Sequence, residues 1–170
     1  QGDWQLSFAE YDAVINLAGS SIFQRWTKRI KKEILQSRVL STRNIVDALK
    51  DTGRKDIILL NASGVGYYGH CGDEMIDENS PAGNTYLASV AESWESEARR
   101  AEDAGIRVIR CRFGIVLGKN GGAFPRMFPL FRYRLGAMWG TGRQWFSWIH
   151  ENDVAGIVSF LLENHEIRGP

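Results

Sequence analysis

The sequence predicts an α/β fold built on a doubly wound parallel sheet, and three observations carry that prediction. Short runs of consecutive apolar residues at 13–17 and 57–60 read as strands buried on both faces, and 106–113 reads as a third strand whose apolar run is interrupted by Arg107, Arg110 and Arg112. Two longer segments with apolar residues at helical spacing lie between them. Strand, helix, strand, helix, strand at these spacings calls for crossover connections, which are right-handed in parallel sheets.

The chain has 170 residues, 44% hydrophobic and 24% charged, enough for one domain or a large piece of one. Its 21 basic and 20 acidic side chains nearly cancel, which argues against a general nucleic-acid binder and against an acidic disordered tail. Cys71 and Cys111 are too few for a disulfide scaffold and wrongly spaced for zinc, so a reduced, cytoplasmic setting without a metal is expected. No stretch approaches the roughly 20 apolar residues of a membrane span. The start, Gln1-Gly2-Asp3-Trp4, lacks the features of a secretory signal. Eighteen glycines beside four prolines point to turns rather than a low-complexity tract.

Taken in order, Ala13 to Ala18 is the first strand, closed by Gly19. Thr27 to Lys50 is a helix with Ile30, Ile34, Val39, Ile45, Val46 and Leu49 near helical spacing, and its basic cluster Lys28-Arg29-Lys31-Lys32 reads as a solvated face or a phosphate patch. Ile57 to Leu60 is the second strand, and the glycine-rich turn Gly64-Val65-Gly66-Tyr67-Tyr68-Gly69 stands where ligands bind in open α/β sheets. Asn84 or Thr85 caps a second helix expected to run to Ala104 and stop at Gly105, with Tyr86, Val90 and Trp94 on one face. The third strand, Ile106 to Phe113, sets Arg110 and Arg112 on one face and Ile109, Cys111 and Phe113 on the other.

From Lys119 to His150 there is no acid, while Arg126, Arg132, Arg134 and Arg143 accompany Phe124, Phe128, Phe131, Tyr133, Trp139, Trp145, Phe146 and Trp148. Such a segment is a lid or pocket wall for an anionic or flat ligand, or a cap packed on the core with arginines reaching water, with nucleic-acid binding by stacking a third and lesser reading. Asp153 is expected to cap a last apolar helix from Val154 to Leu162.

The ordered set of motifs resembles the extended short-chain dehydrogenase/reductase superfamily, NAD-dependent epimerase/dehydratase-like. Within it, the likeness is to the epimerase-family, cell-division-inhibitor-like NADP-dependent oxidoreductases. The matching pieces are Val14-Ile15-Asn16-Leu17-Ala18-Gly19, Arg25-Trp26, Ser37-Arg38, Ala62-Ser63-Gly64-Val65-Gly66-Tyr67-Tyr68-Gly69 and Trp94-Glu95. Arg112-Phe113-Gly114-Ile115-Val116-Leu117-Gly118, Gly121-Gly122, Gly140-Thr141-Gly142-Arg143-Gln144, Trp148-Ile149-His150 and Asp153 follow. The resemblance implies a Rossmann-like sheet, incomplete here, with NADP as cofactor or NAD in its place. It puts 1–118 in a partial dinucleotide-binding domain lacking its first βαβ unit, 119–144 in a substrate-lobe or lid segment, and 145–170 in a return strand and helix.

Carried over residue by residue, the resemblance sets Leu17, Ala18, Gly19 and Ser20 on the adenosine side of the cofactor. Asn61, Ala62 and Ser63 would line the nicotinamide side, with Ile115 and Val116 closing over it and Arg112 near the cofactor. Ser63 and Tyr86 become the catalytic hydroxyls, and Tyr67, Arg126, Arg143 and His150 the substrate contacts. Val90 stands where the family has the lysine that assists the tyrosine, and an unassisted phenol of pKa about 10 is a poor base. Unless Tyr67, Tyr68 or an arginine such as Arg112 intervenes, the usual hydride chemistry is doubtful. Phe146 and Ser147 stand where sugar-nucleotide epimerases carry a diphosphate-gripping arginine. Two readings follow: an oxidoreductase or epimerase acting on a small, anionic or neutral, carbonyl or hydroxyl compound, or a degenerate dinucleotide-sensing or protein-binding member. The family's glycine-rich phosphate loop has no counterpart before Val14, which leaves 13–18 on an apolar sheet edge, and the chain is expected to be truncated at both ends. No membrane partner is expected, and the oligomeric state stays open.

Overall fold

The computed structural model describes residues 3–136 and 140–170. Strand β1 (Ala13–Asn16), β2 (Ile58–Gly64) and β3 (Arg107–Phe113) form a parallel sheet in the order β1-β2-β3. The register sets Asn16 beside Asn61 and Ser63 beside Arg112. Helix α1 (Lys28–Asp51) crosses from β1 to β2, and α2 (Tyr86–Arg99) from β2 to β3. The core lies on both faces of the sheet. Val46, Leu49 and Ala98 meet Leu59 and Val108 on one face, while Leu161 meets Leu60, Ile109 and Cys111 on the other. β1 is an edge strand, with Ile15 exposed and Leu17 just beyond it more so.

Thr27 caps α1 and Thr85 caps α2, each side chain accepting from a backbone amide three residues on. The basic cluster of α1 is solvated at Lys28, Arg29 and Lys32. Lys31 instead stands over the rings of Trp26 and Tyr86, aromatic neighbours from other elements that the helix sequence does not display. α2 ends at Arg99, short of the expected Ala104. A separate 3-10 turn, Glu102–Ala104, follows and is halted by Gly105 at φ +80°, a left-handed conformation that suits glycine.

Strand β4 (Ile115–Leu117) pairs in parallel with β5 (Trp148–His150), forming a second, two-stranded sheet. Between them α3 (Phe124–Arg132) contains Pro129 and has no buried residue. Phe128, Phe131 and Tyr133 are exposed, so this segment does not pack into the core; Trp139 lies outside the described residues. Helix α4 (Glu151–Glu163) begins earlier than expected. Its cap is His150, whose ring nitrogen accepts from Asn152 N at 3.2 Å, and Asp153 falls inside the first turn. Arg107 holds the far end of α4 through the carbonyls of Leu161, Asn164 and Ile167. Gly169 bridges to the free edge of β3, accepting from Arg110 N and donating to Val108 O.

Candidate functional site

The carboxyl ends of β1 and β2 are set by a buried polar network. Asn16 Nδ2 donates to Asn61 Oδ1 at 2.6 Å and to Thr42 Oγ1 at 2.8 Å, and Trp94 Nε1 also donates to Thr42 Oγ1. Asn16 Oδ1 accepts from Ala18 N at 3.1 Å, so the network fixes the first bend of the Leu17–Ser20 loop. Asn61 is fully buried, and its amide serves neighbouring protein groups rather than the open end of the sheet. The loop is held from its other end by α1. Ser37 Oγ accepts from Ser20 N, and Arg38 Nη1 donates to Ser20 O while its guanidinium lies 5.1 Å from the Trp94 ring centre. A Cβ on Gly19 would stand 2.9 Å from Arg38 Cζ, so glycine allows the loop to close on that guanidinium.

A second cluster joins three of the sequence motifs at one carboxylate. Glu95 is fully buried in α2 and accepts from Ser63 Oγ at 2.7 Å, Arg112 Nε at 2.8 Å and Arg112 Nη2 at 2.8 Å. Burial pushes the Glu95 pKa up, but hydrogen bonds from Arg112 and Ser63 and the charges of Arg112 and Arg110 outweigh it and hold the carboxyl below its ordinary value. The same partnership with Glu95 raises the Arg112 pKa against its own desolvation. Arg112 Nη1 then reaches Tyr68 Oη at 2.8 Å and Glu78 O at 3.0 Å, and the Tyr67 ring covers the guanidinium at 3.6 Å. Arg110, paired with Glu102, stands 3.7 Å from Glu95 and leaves its buried Nε without a hydrogen-bond partner.

These contacts redistribute the expected roles. Ser63 is 7% exposed and donates its hydroxyl hydrogen bond to Glu95. Tyr86 donates its hydroxyl to Lys31 O at 2.5 Å, and burial pushes its phenol pKa up against the lowering charge of Arg38. The two hydroxyls therefore serve different neighbours. Arg112, expected near the cofactor, is committed to Glu95, Tyr68 and Glu78, because a buried carboxylate needs its fork. Arg126 donates to Phe23 O, and Tyr67 stacks on Arg112. Arg143 and His150 are exposed, and Ile115 and Val116 are part-buried in β4. A cavity of about 700 Å³ opens between the end of β3, the 76–78 loop and the 146–149 segment, with Tyr68, Arg112 and Phe146 in its wall. Cys111 also borders it, its thiol pKa pushed up to about 11 by burial. Among the described residues, no group of histidine, cysteine and acidic side chains could hold a metal, and no helix is long and apolar enough to cross a membrane.

Sequence reasoning assigned no role to Glu95, Thr42 or Arg38. Glu95 carried a usable signal: an acid beside the core residue Trp94 on a mostly apolar helix face needs a buried cation, and Arg110 and Arg112 share one strand face. Thr42 and Arg38 gave no comparable signal, since the partners that tie them to the site (Asn16, Asn61, Trp94 and Ser20) lie outside their helix.

The chain matches the NAD dependent epimerase/dehydratase family over residues 2–169. It is 40% identical over 171 residues to the epimerase family protein SDR39U1 homolog, chloroplastic, of Arabidopsis thaliana, covering 99% of this chain and 49% of that protein. It is 41% identical over 160 residues to the epimerase family protein YfhF of Bacillus subtilis, covering 94% and 52% respectively. The crystal structure of human epimerase family protein SDR39U1 with NADPH superposes with a TM-score of 0.85 at 34% identity, over 97% of this chain and 59% of that one. The chain thus spans about half the length of the curated relatives it matches.

Proposed function

Because the chain belongs to the NAD dependent epimerase/dehydratase family, we propose that it carries the cofactor-facing walls of an NAD(P)-dependent oxidoreductase or epimerase of the extended short-chain dehydrogenase/reductase type. Its substrate is a small carbonyl or hydroxyl compound, and NADP is the favoured cofactor, a preference supported by the NADPH-bound human relative. The observation that carries this reading is the pair of segments leaving the hydrogen-bonded positions Asn16 and Asn61: the Leu17–Ser20 loop and the turn after Ser63. Ligands of parallel α/β sheets bind outside such strand ends.

The residues present fit a dinucleotide. Ala18, Gly19 and Ser20 are small enough for a ligand to approach the main chain, and exposed Leu17 offers an apolar contact beside them for the adenosine side. Asn61, Ala62 and Ser63 form the floor on the nicotinamide side, with Ile115 and Val116 as its far wall. When bound, the nicotinamide supplies hydride exchange. Arg143 and His150 have side chains exposed to meet an anionic substrate. Fluorescence titration of the complete protein with NADPH and NADH tests the reading. Saturable binding with NADPH the tighter is expected; no binding of either at high micromolar concentration overturns it.

A further inference from the structure

We infer that Tyr68, held against Arg112, is the proton-transfer hydroxyl of this site, and that the group it serves is the carbonyl or alcohol oxygen of a small molecule in the cavity they border. The inference rests on the oxidoreductase reading above and adds a residue to it.

Arg112 Nη1 donates to Tyr68 Oη at 2.8 Å, so the phenol's own proton points away from the guanidinium. Among the described residues no acceptor takes that proton. The cation itself cannot swing aside. Glu95 grips it at two nitrogens, Glu78 O takes a third contact, and the Tyr67 ring covers its face. Tyr68 and Arg112 both border the cavity of about 700 Å³, a volume within the usual range for small-molecule pockets. Tyr86 offers none of this: its hydroxyl faces Lys31 O, and Val90 provides no ammonium. Ser63 already donates its hydrogen bond to Glu95.

In the reducing direction a carbonyl carbon gains a hydride from the reduced nicotinamide, and the C–O π electrons move onto oxygen. That oxygen takes the Tyr68 Oη proton, so one O–H bond breaks on the phenol and one forms on the product alcohol. The negative charge left on Oη lies against Arg112, whose fixed N–H is aimed at it before the step begins. Water entering the cavity returns the proton.

The test uses the complete protein with NADPH and phenanthrenequinone as a generic carbonyl probe. Tyr68→Phe is expected to lower turnover about 100-fold or more while leaving the NADPH dissociation constant unchanged, the size expected for loss of a general acid. Intact NADPH binding with turnover untouched by Tyr68→Phe overturns this inference alone, as does a larger loss in Tyr86→Phe. Failure of the wild type to bind NADPH overturns the oxidoreductase reading instead. Labelling the wild-type protein with an aryl sulfonyl fluoride, mapped by peptide mass spectrometry, decides the matter even where Tyr68→Phe does not fold. Label on Tyr68 supports the inference, and label confined to other tyrosines overturns it.

Discussion

Glu95 and Arg112 meet in a two-point fork, with Nε and Nη2 each 2.8 Å from a different carboxylate oxygen. The pair ties α2 to β3 beneath the turn that follows β2, and Ser63 adds a third hydrogen bond. Removing one partner leaves a buried charge without its counter-charge, so Glu95→Leu should cost the complete protein about 3–5 kcal/mol. Replacing Arg112 by leucine as well removes the orphaned cation, and the double variant should be more stable than Glu95→Leu alone. Urea unfolding of both variants checks this; a Glu95→Leu loss below about 1 kcal/mol would show that the fork is not holding the helix.

The ionisation of Glu95 also sets an acid limit. Its folded-state pKa lies below the ordinary value of 4.5, so the unfolded chain binds a proton more readily than the folded one. The stabilisation is fully present above the unfolded value and is lost as pH falls through the folded one. Thermal midpoints should therefore drop as pH is lowered below 4.5, and the Glu95→Gln variant should start lower and fall less steeply. Parallel pH–midpoint curves for the two proteins would count against the assignment, although the lowered pKa of Glu97 beside Arg43 and Arg100 contributes a slope common to both.

The parallel sheet and its two crossover helices were legible because buried strands and amphipathic helices write themselves in local periodicity. A cap at Asn84 or Thr85 was legible for the same reason, and the structure gives it to Thr85, whose role is set within three residues; Thr27 was read only as the start of its helix. The site was less so. Where the Ser63 hydroxyl directs its hydrogen bond depends on Glu95, 32 positions away on another element. Tyr86 took its catalytic role from the family resemblance alone, and its hydroxyl direction is decided by a carbonyl on α1, 55 positions earlier. The cap on α4 was misassigned to Asp153 because aspartate is the commoner cap, while His150 reaches the amide first from its extended position at the end of β5.

Gly83 offers a test of how tightly the 76–85 loop holds the Tyr67–Tyr68 turn. Its amide donates to Tyr67 O at 2.9 Å, and a Cβ built on it would stand 2.3 Å from Tyr68 O. The obstacle is main chain, so relief requires moving the turn rather than a side chain. Gly83→Ala should destabilise the protein by about 1–3 kcal/mol, the cost of overpacking a well-filled contact. Because the displaced turn carries Tyr68 away from Arg112, phenanthrenequinone reduction should fall with it. A variant of wild-type midpoint would mean that the loop does not press on the turn.

Gly19 makes the opposite case, where the crowding group can move. The atom nearest a new Cβ, at 2.9 Å, is Arg38 Cζ, the far end of a flexible side chain. Gly19→Ala should cost little stability, since the guanidinium can slide along the Trp94 ring. It cannot do so and keep its bond to Ser20 O, which anchors the outer end of the Leu17–Ser20 loop. If that loop is the adenosine wall, loosening it should weaken NADPH binding about tenfold, equivalent to about 1.4 kcal/mol. Arg38→Met removes the same anchor without adding bulk at Gly19 and should reproduce the loss. NADPH titrations and thermal midpoints of the two variants in the complete protein separate the effects. Weakened binding at near wild-type stability is the expected pair, and unchanged affinity in both would remove this loop from the cofactor site.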